Sequence, residues 1–175
     1  MAAPHNVTIQ DLSGIWRIQS RTRSDDMNPG LILQGVPWVI RKAISWATIT
    51  GKISQIAAED GVTTVTIAQT ATGGLKGETE VYKLDGSEAT TSTPVFGVNR
   101  IRASWSDLRT EKPLGLSGEP LPQYLMEGWL EQDDLNSPGH ITAHVVCDRG
   151  GWTVDQIWGF SLVAVGNNYG SKLYV

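Results

Sequence analysis

The sequence predicts an all-β protein: an antiparallel up-and-down β-barrel of about eight to ten strands, with a short helix-turn-helix after the first strand. Three observations predict it. Gly14-Ile15-Trp16 lies in the first strand-like run. Leu31 to Thr48 then switches to helical spacing of its apolar residues. From Thr50 onward, alternating segments separated by Gly-, Asp- and Asn-rich turns follow one another almost to the end. A barrel of this size has room inside for its own side chains or for one small ligand.

Met1 to Gln10 reads as a loose leader and Asp11 to Ser20 as the first strand, followed by a turn-rich stretch with Ser24-Asp25-Asp26 and Asn28-Pro29-Gly30. In the helical block, Leu31, Ile32, Val36, Val39, Ile40, Ala43, Ile44 and Ala47 recur at helical intervals. Gly35 and Pro37 break it into two short helices. Gly51 to Ala57 and Val62 to Ala71 form a hairpin turning at Glu59-Asp60-Gly61. Lys76 to Leu84 alternates as a further strand, and Asp85-Gly86-Ser87 reads as a turn. Val95 to Leu108 holds a strand centred on Arg100 to Trp105. Thr110 to Gln123, with Pro113, Pro120 and Pro122, is a long loop suited to a lid at the barrel mouth. Strands follow at Tyr124 to Glu131, His140 to Asp148 and Trp152 to Val165. Turns lie at Asp133 to Gly139, Arg149-Gly150-Gly151 and Asn167 to Gly170, and Lys172 to Val175 is a candidate edge pairing. No repeat or second domain is visible, so residues 1–175 form one domain.

Composition narrows the function. A net charge of −4 with mixed signs lacks the concentrated basic face that nucleic acid requires. No apolar run is long enough to span a membrane, and the N-terminal residues lack the features of a secretory signal. Cys147 is the single cysteine, which excludes an intrachain disulfide and fits a cytoplasmic location. Seven tryptophans against two phenylalanines supply broad flat surfaces for a core or for a flat ligand. The expected partner is a small apolar or aromatic molecule, with a homodimer left open.

No phosphate loop, dinucleotide fingerprint or nucleophile elbow occurs, and no cofactor is expected. His140 and His144 share a strand face, but on a strand they stand roughly 13 Å apart. No third ligand joins them, so no metal site is expected.

The block Gln34 to Ala43, preceded by Gly14-Ile15-Trp16 and followed by a train of strands, resembles the lid-helix region of intracellular fatty-acid-binding proteins. The Gly-x-Trp element also resembles lipocalins, so the wider calycin group covers both. The resemblance extends over the first half. It implies a ligand-enclosing barrel in which Trp16 packs across the closed end. Fatty-acid-binding proteins end in an Arg-x-Tyr pair that grips a carboxylate; Lys172-Leu173-Tyr174 is a weak counterpart. With its extra proline-rich loop and many tryptophans, the chain is more similar to small lipocalin-like proteins of fungal natural-product pathways. That resemblance implies a cofactor-free cyclase or isomerase, for which stereoselective ether-ring closure is one activity.

Two readings of the strand faces stay open. If each strand buries its apolar face, Tyr124, Met126, Cys147 and Trp158 point inward and Glu127 and His144 face solvent. If polar residues face the ligand, Arg102, Glu127 and His144 are the catalytic candidates. Arg102 would stabilise developing negative charge, with Glu127 or Asp155 as carboxylate partner, and His144 would move the proton. Ligand contacts would then come from Tyr82, Arg100, Trp105, Tyr124, Trp129, Gln156 and Trp158. The favoured function is a cyclase or isomerase acting on an aromatic or polyketide-like molecule. A passive carrier of a fatty acid or other apolar ligand, and a barrel filled by its own tryptophans, are the alternatives.

Overall fold

A computed structural model describes residues 7–17, 26–93, 95–130, 137–165 and 168–174; for residues 75, 163–165 and 168–174 it describes the course of the backbone. The turns expected at Ser24-Asp25 and Asp133 to Asn136, and the first six residues of the leader, lie outside that set.

Nine antiparallel strands form two sheets. The first contains β1 (Gly14–Arg17), β2 (Thr50–Ala57), β3 (Thr63–Ala71) and β4 (Leu75–Lys83) in sequential order. The second contains β5 (Asp85–Thr93), β6 (Gly97–Ser106), β7 (His140–Cys147), β8 (Trp152–Val165) and β9 (Asn168–Tyr174), also in order. Helices α1 (Asn28–Leu33) and α2 (Trp38–Trp46) follow β1, and a short α3 (Gln123–Met126) precedes β7. The antiparallel meander and the helix pair match the expectation. Among the described residues, backbone pairing defines two sheets and no closed ring.

Local chemistry explains most boundaries. Pro29 opens α1, Gly35 takes a positive φ of 73° after it, and Pro37 caps α2, so the helix pair breaks where expected. Ala58 and Val62 close the β2–β3 hairpin. The Val62 N–H also donates to Asp60 Oδ1, and Gly61 supplies the positive φ.

Three expectations are corrected. Asp85-Gly86-Ser87 is the irregular start of β5 rather than a turn, and the Ser- and Thr-rich run behind it pairs along β6. The described part of the expected strand from Tyr124 to Glu131, residues 124–130, is not a strand: Pro122 starts α3, and Gly128 then takes a positive φ of 80°. Only at Trp129, bridging to Ser161, does the chain touch β8. The leader is not loose throughout. Ile9 and Leu12 are fully buried, and the Gln55 side chain holds this segment by donating to the carbonyls of Ile9 and Gln10 and accepting from the Leu12 N–H.

The core lies between the sheets. Ile53, Val65 and Tyr82 from the first meet Ile101, Ala103, Ile141, Ala143, Val145 and Trp158 from the second, with Ile9, Leu12 and Leu84 completing the cluster. Trp16 packs against it and donates its indole N–H to the Leu12 carbonyl at 2.7 Å. Across the β4–β5 seam, Thr91 Oγ1 donates to the Thr79 carbonyl.

Candidate functional site

Strand alternation gives the second sheet two chemically different faces. On the inner face, register sets Ile101, Val145 and Val154 in one row, Ala103, Ala143 and Gln156 in the next, and Trp105, Ile141 and Trp158 in the third. Beyond the first row, Trp152 lies opposite Cys147. Across from these rows, β4 presents Glu80 opposite Ile67 and Tyr82 opposite Val65. A cleft with about 400 Å3 of empty space, part of it open to solvent, runs between them.

The lining mixes apolar and polar residues. Ile101, Val145, Val154, Phe96 and Trp152 are apolar, with Phe96 set edge-on to Trp152 at 5.3 Å. Asn99, Thr91 and Gln34, the last just after α1, are polar, and Thr91 bonds the Thr79 carbonyl beside Glu80. Asn99 Oδ1 and Trp152 Nε1 are buried and have no hydrogen-bond partner. The Tyr82 hydroxyl donates to Glu80 Oε2 at 2.8 Å, and the Trp158 indole N–H donates to Gln156 Oε1 at 2.9 Å. Trp158 also meets the Tyr82 ring edge-to-face at 4.7 Å, which fixes the phenol.

Burial sets the protonation of this dyad. It pushes the Glu80 carboxyl above its ordinary value; the Tyr82 hydrogen bond opposes the shift and the nearby Glu78 charge adds to it. Burial, followed by the charge and hydrogen bond of Glu80, raises the Tyr82 hydroxyl well above 10, so it stays a donor. Glu78 Oε1, on the same face of β4, is also buried without a partner. Near β4 the cleft therefore holds a carboxyl, Glu80, and a phenol, Tyr82, whose pKa values burial raises.

The outer face of the second sheet carries the charges. Arg100 grips Asp148 through two hydrogen bonds and reaches Glu88 at 3.3 Å, while Arg102, opposite His144, lies 3.8 Å from the same Glu88. His144 Nδ1 sits 2.6 Å from Asp155 Oδ1. The proline-rich loop packs over this pair: the Leu116 N–H donates to Asp155 Oδ1, and a Cβ on Gly115 would lie 2.8 Å from Asp155 Oδ2. It thus braces the outer face and is not a lid over the cleft.

The expected catalytic trio is accordingly not brought together in the cleft. Arg102 and His144 lie outside, and Glu127 is exposed after α3, where it accepts a hydrogen bond from Gln123. Arg100 is also outside, Tyr124 is exposed on α3, and Trp129 stands on the outer face against His140, donating its N–H to the Leu125 carbonyl. Charges on strands exposed on one side are solvated there, so the apolar-in reading holds for β6 to β8. Of the expected ligand contacts, Tyr82 and Gln156 line the cleft, Trp158 supports both, and Trp105 faces inward against the core. Glu80, Asn99 and Trp152 were missed. Glu80 is two residues from Tyr82, and Trp152 shares the alternating face of Gln156 and Trp158, so the signal was face membership.

Comparison with known proteins bears on what such a cleft does. The chain is 30% identical over 161 residues to pericyclase pydY of an Acremonium species, an alignment spanning 91% of this chain and 80% of that protein. It belongs to the pericyclase pydY family. Probable pericyclase scpY of Mollisia scopiformis is also 30% identical to it, over 129 residues that span 73% of this chain and 64% of that protein. No protein-family profile and no solved structure matches the chain. The inner cleft is this chain's candidate active site; neither comparison supports the expected calycin membership.

Proposed function

We propose that this protein is a cofactor-independent cyclase of secondary metabolism, closing a ring in a polyketide-like molecule held between the two sheets as in a barrel-like cup. The observation that carries this reading is the cleft itself: an apolar trough that also holds the Tyr82–Glu80 hydrogen bond and Asn99, in a chain of the pericyclase family.

A pericyclic closure converts π bonds into σ bonds within one molecule. Substrate and product are isomers, and no electron, atom or proton is exchanged with a partner. The protein then has two tasks. Ile101, Val145, Val154 and the Phe96–Trp152 pair hold a flexible chain in its folded, reactive conformer. Neutral donors polarise a conjugated carbonyl, with protonated Glu80 or the Trp152 N–H as the donor. For an ether closure one further task arises: the hydroxyl proton must move to the acceptor carbon, and Glu80 is the group placed to relay it. The relatives named as pericyclases favour the enzyme over a passive carrier.

The test begins in the producing cell. Deleting the gene should accumulate an uncyclised compound of the same mass as the lost product. Purified protein should then convert it with mass unchanged. Absence of an isobaric precursor, or a precursor that the protein binds without converting, would refute the proposal.

A further inference from the structure

The two sheets bring the same arrangement to the cleft from opposite sides. On β4, Glu80 lines the cleft and is bonded by Tyr82, two residues on; on β8, Gln156 lines the cleft and is bonded by Trp158, two residues on. Both aromatic residues are buried, and their rings meet edge-to-face with 71° between the planes. One contact between the sheets thus steadies both polar side chains. Gln156 has no task in the ring closure set out above, yet this network decides how its amide is turned. An indole N–H donates and cannot accept, so the Gln156 atom facing Trp158 Nε1 is the carbonyl oxygen. Turning the amide over would leave a buried indole N–H facing an NH2 group, with no acceptor. Nε2 is therefore fixed on the other side. It has no partner among the described residues and is not enclosed, so its N–H donors open on the cleft that the side chain lines.

We propose that Gln156 Nε2 holds the substrate by a carbonyl oxygen, and that Trp158 is the positioning residue that keeps the amide turned for it. The class of substrate follows: a neutral conjugated carbonyl compound and not a carboxylate. Among the described residues, the cleft lining contains no lysine, arginine or histidine, and Glu80 stands on its β4 side with Glu78 on the same strand face. A carboxylate entering it would lose water and meet no cation. A neutral carbonyl brings no charge and gains an oriented donor. During ring closure that hydrogen bond strengthens as electron density moves onto the conjugated oxygen, so a donor fixed in advance lowers the barrier. This last step rests on the cyclase reading; the recognition of a neutral carbonyl stands on the amide and the lining around it.

The test uses three probes on the full chain, read by quenching of tryptophan emission: chalcone, a neutral conjugated ketone; 1,3-diphenylpropene, the same skeleton without the carbonyl; and oleate, a carboxylate. Wild type should prefer chalcone to the hydrocarbon by about two- to tenfold, the worth of one neutral hydrogen bond, and oleate should not displace chalcone. Gln156→Met keeps the length of the side chain and a weak sulfur acceptor for the indole but has no donor. It should bind the hydrocarbon as wild type does and lose the preference for the ketone. Trp158→Phe keeps a ring against Tyr82 and frees the amide to turn, so the preference should shrink while hydrocarbon binding persists. A side chain that only supports the fold would change the binding of both probes together. If Trp158→Phe fails to fold, Gln156→Met decides. With the precursor that accumulates on gene deletion, Gln156→Met should lower kcat/KM by about tenfold. A wild type that does not bind chalcone, binds both skeletons equally or releases chalcone to oleate overturns the proposal, as does a Gln156→Met variant that keeps the preference. Carbonyl preference in a chain that closes no ring would retire the cyclase reading and keep this one; ring closure by a wild type without that preference would do the reverse.

Discussion

Glu80→Gln tests the Glu80–Tyr82 dyad that lines the cleft. The amide keeps the side chain's shape and an acceptor for the Tyr82 hydroxyl, now 2.8 Å from Glu80 Oε2, but it cannot ionise. A hydrogen bond to a charged carboxylate contributes about 1.5–3 kcal/mol, and one to a neutral acceptor about 0.5–1.5 kcal/mol. The substitution thus weakens that bond only where Glu80 is ionised. Against it stands the cost of holding the charge in a buried place. Because the folded-state pKa is raised above 4.5, the neutral form stabilises the fold fully below 4.5, and that contribution is lost as pH rises through the folded value. A tenfold difference in proton affinity between folded and unfolded chains corresponds to about 1.4 kcal/mol. For a chain of this size, 1 kcal/mol moves the melting temperature by about 2–4 °C. Urea denaturation of both proteins from pH 4 to pH 8 should therefore show similar stabilities in acid, and a margin in favour of Glu80→Gln that widens as pH rises. Ring closure should meanwhile slow by about 10²-fold, since an amide is a far poorer acid. Parallel stability curves across the whole range would refute the argument that burial keeps Glu80 protonated. Full activity in the variant would refute its role as the acid.

Other consequences are independent of that dyad. Gly150→Ala would place a Cβ 2.5 Å from Trp152 Nε1 and 3.1 Å from Cys147 Sγ, so the indole must move; about 1–3 kcal/mol of stability should be lost, measured by denaturation, together with turnover. Ser106→Ala removes a buried hydroxyl that has no partner and should raise stability by about 1 kcal/mol; a loss of stability would show that the hydroxyl is satisfied after all. His140 is buried with neither ring nitrogen bonded, and burial pulls its pKa below 6.5. The unfolded chain takes up this proton first as pH falls through about 6.5, so acid destabilises the fold by up to about 1.4 kcal/mol per pH unit until the folded value is reached. In His140→Gln that part of the slope should vanish from denaturation curves.

What the sequence showed depended on how local the signal was. The β2–β3 turn and the break between α1 and α2 were legible because Asp60-Gly61 and Gly35-Val36-Pro37 act on their own backbone. β5 was not, because Ser87 to Thr93 has no apolar alternation; the pairing with β6 makes it a strand, and its threonines were the remaining hint. The expected strand at Tyr124 failed because its alternation is interrupted by Gly128, whose positive φ turns the chain. Ile9 reads as part of a loose leader because what holds it is Gln55, more than forty residues away. In the site, the shared face of Trp152, Gln156 and Trp158 was visible as alternation. The position of Glu80 was not, because it depends on β4 facing a different sheet.

The catalytic trio read from the sequence, Arg102, Glu127 and His144, lies outside the cleft. Arg100, Arg102, His144 and Asp155 decorate the face that water or the proline-rich loop covers, where ion pairs such as Arg100–Asp148 keep their hydration. The inner face holds amide, indole, phenol and a carboxyl inclined to stay protonated. Burying a bare charge costs far more than burying a neutral donor, so a cleft lined by Ile101, Val145 and Val154 selects neutral donors as its chemistry. A reaction that only redistributes π electrons needs a held conformer and a neutral hydrogen bond rather than a full charge. The segregation of charge across β6 to β8 is thus what a ring-closing site of this kind requires, and the feature that made the arginines conspicuous in the sequence is the one that keeps them out of the cleft.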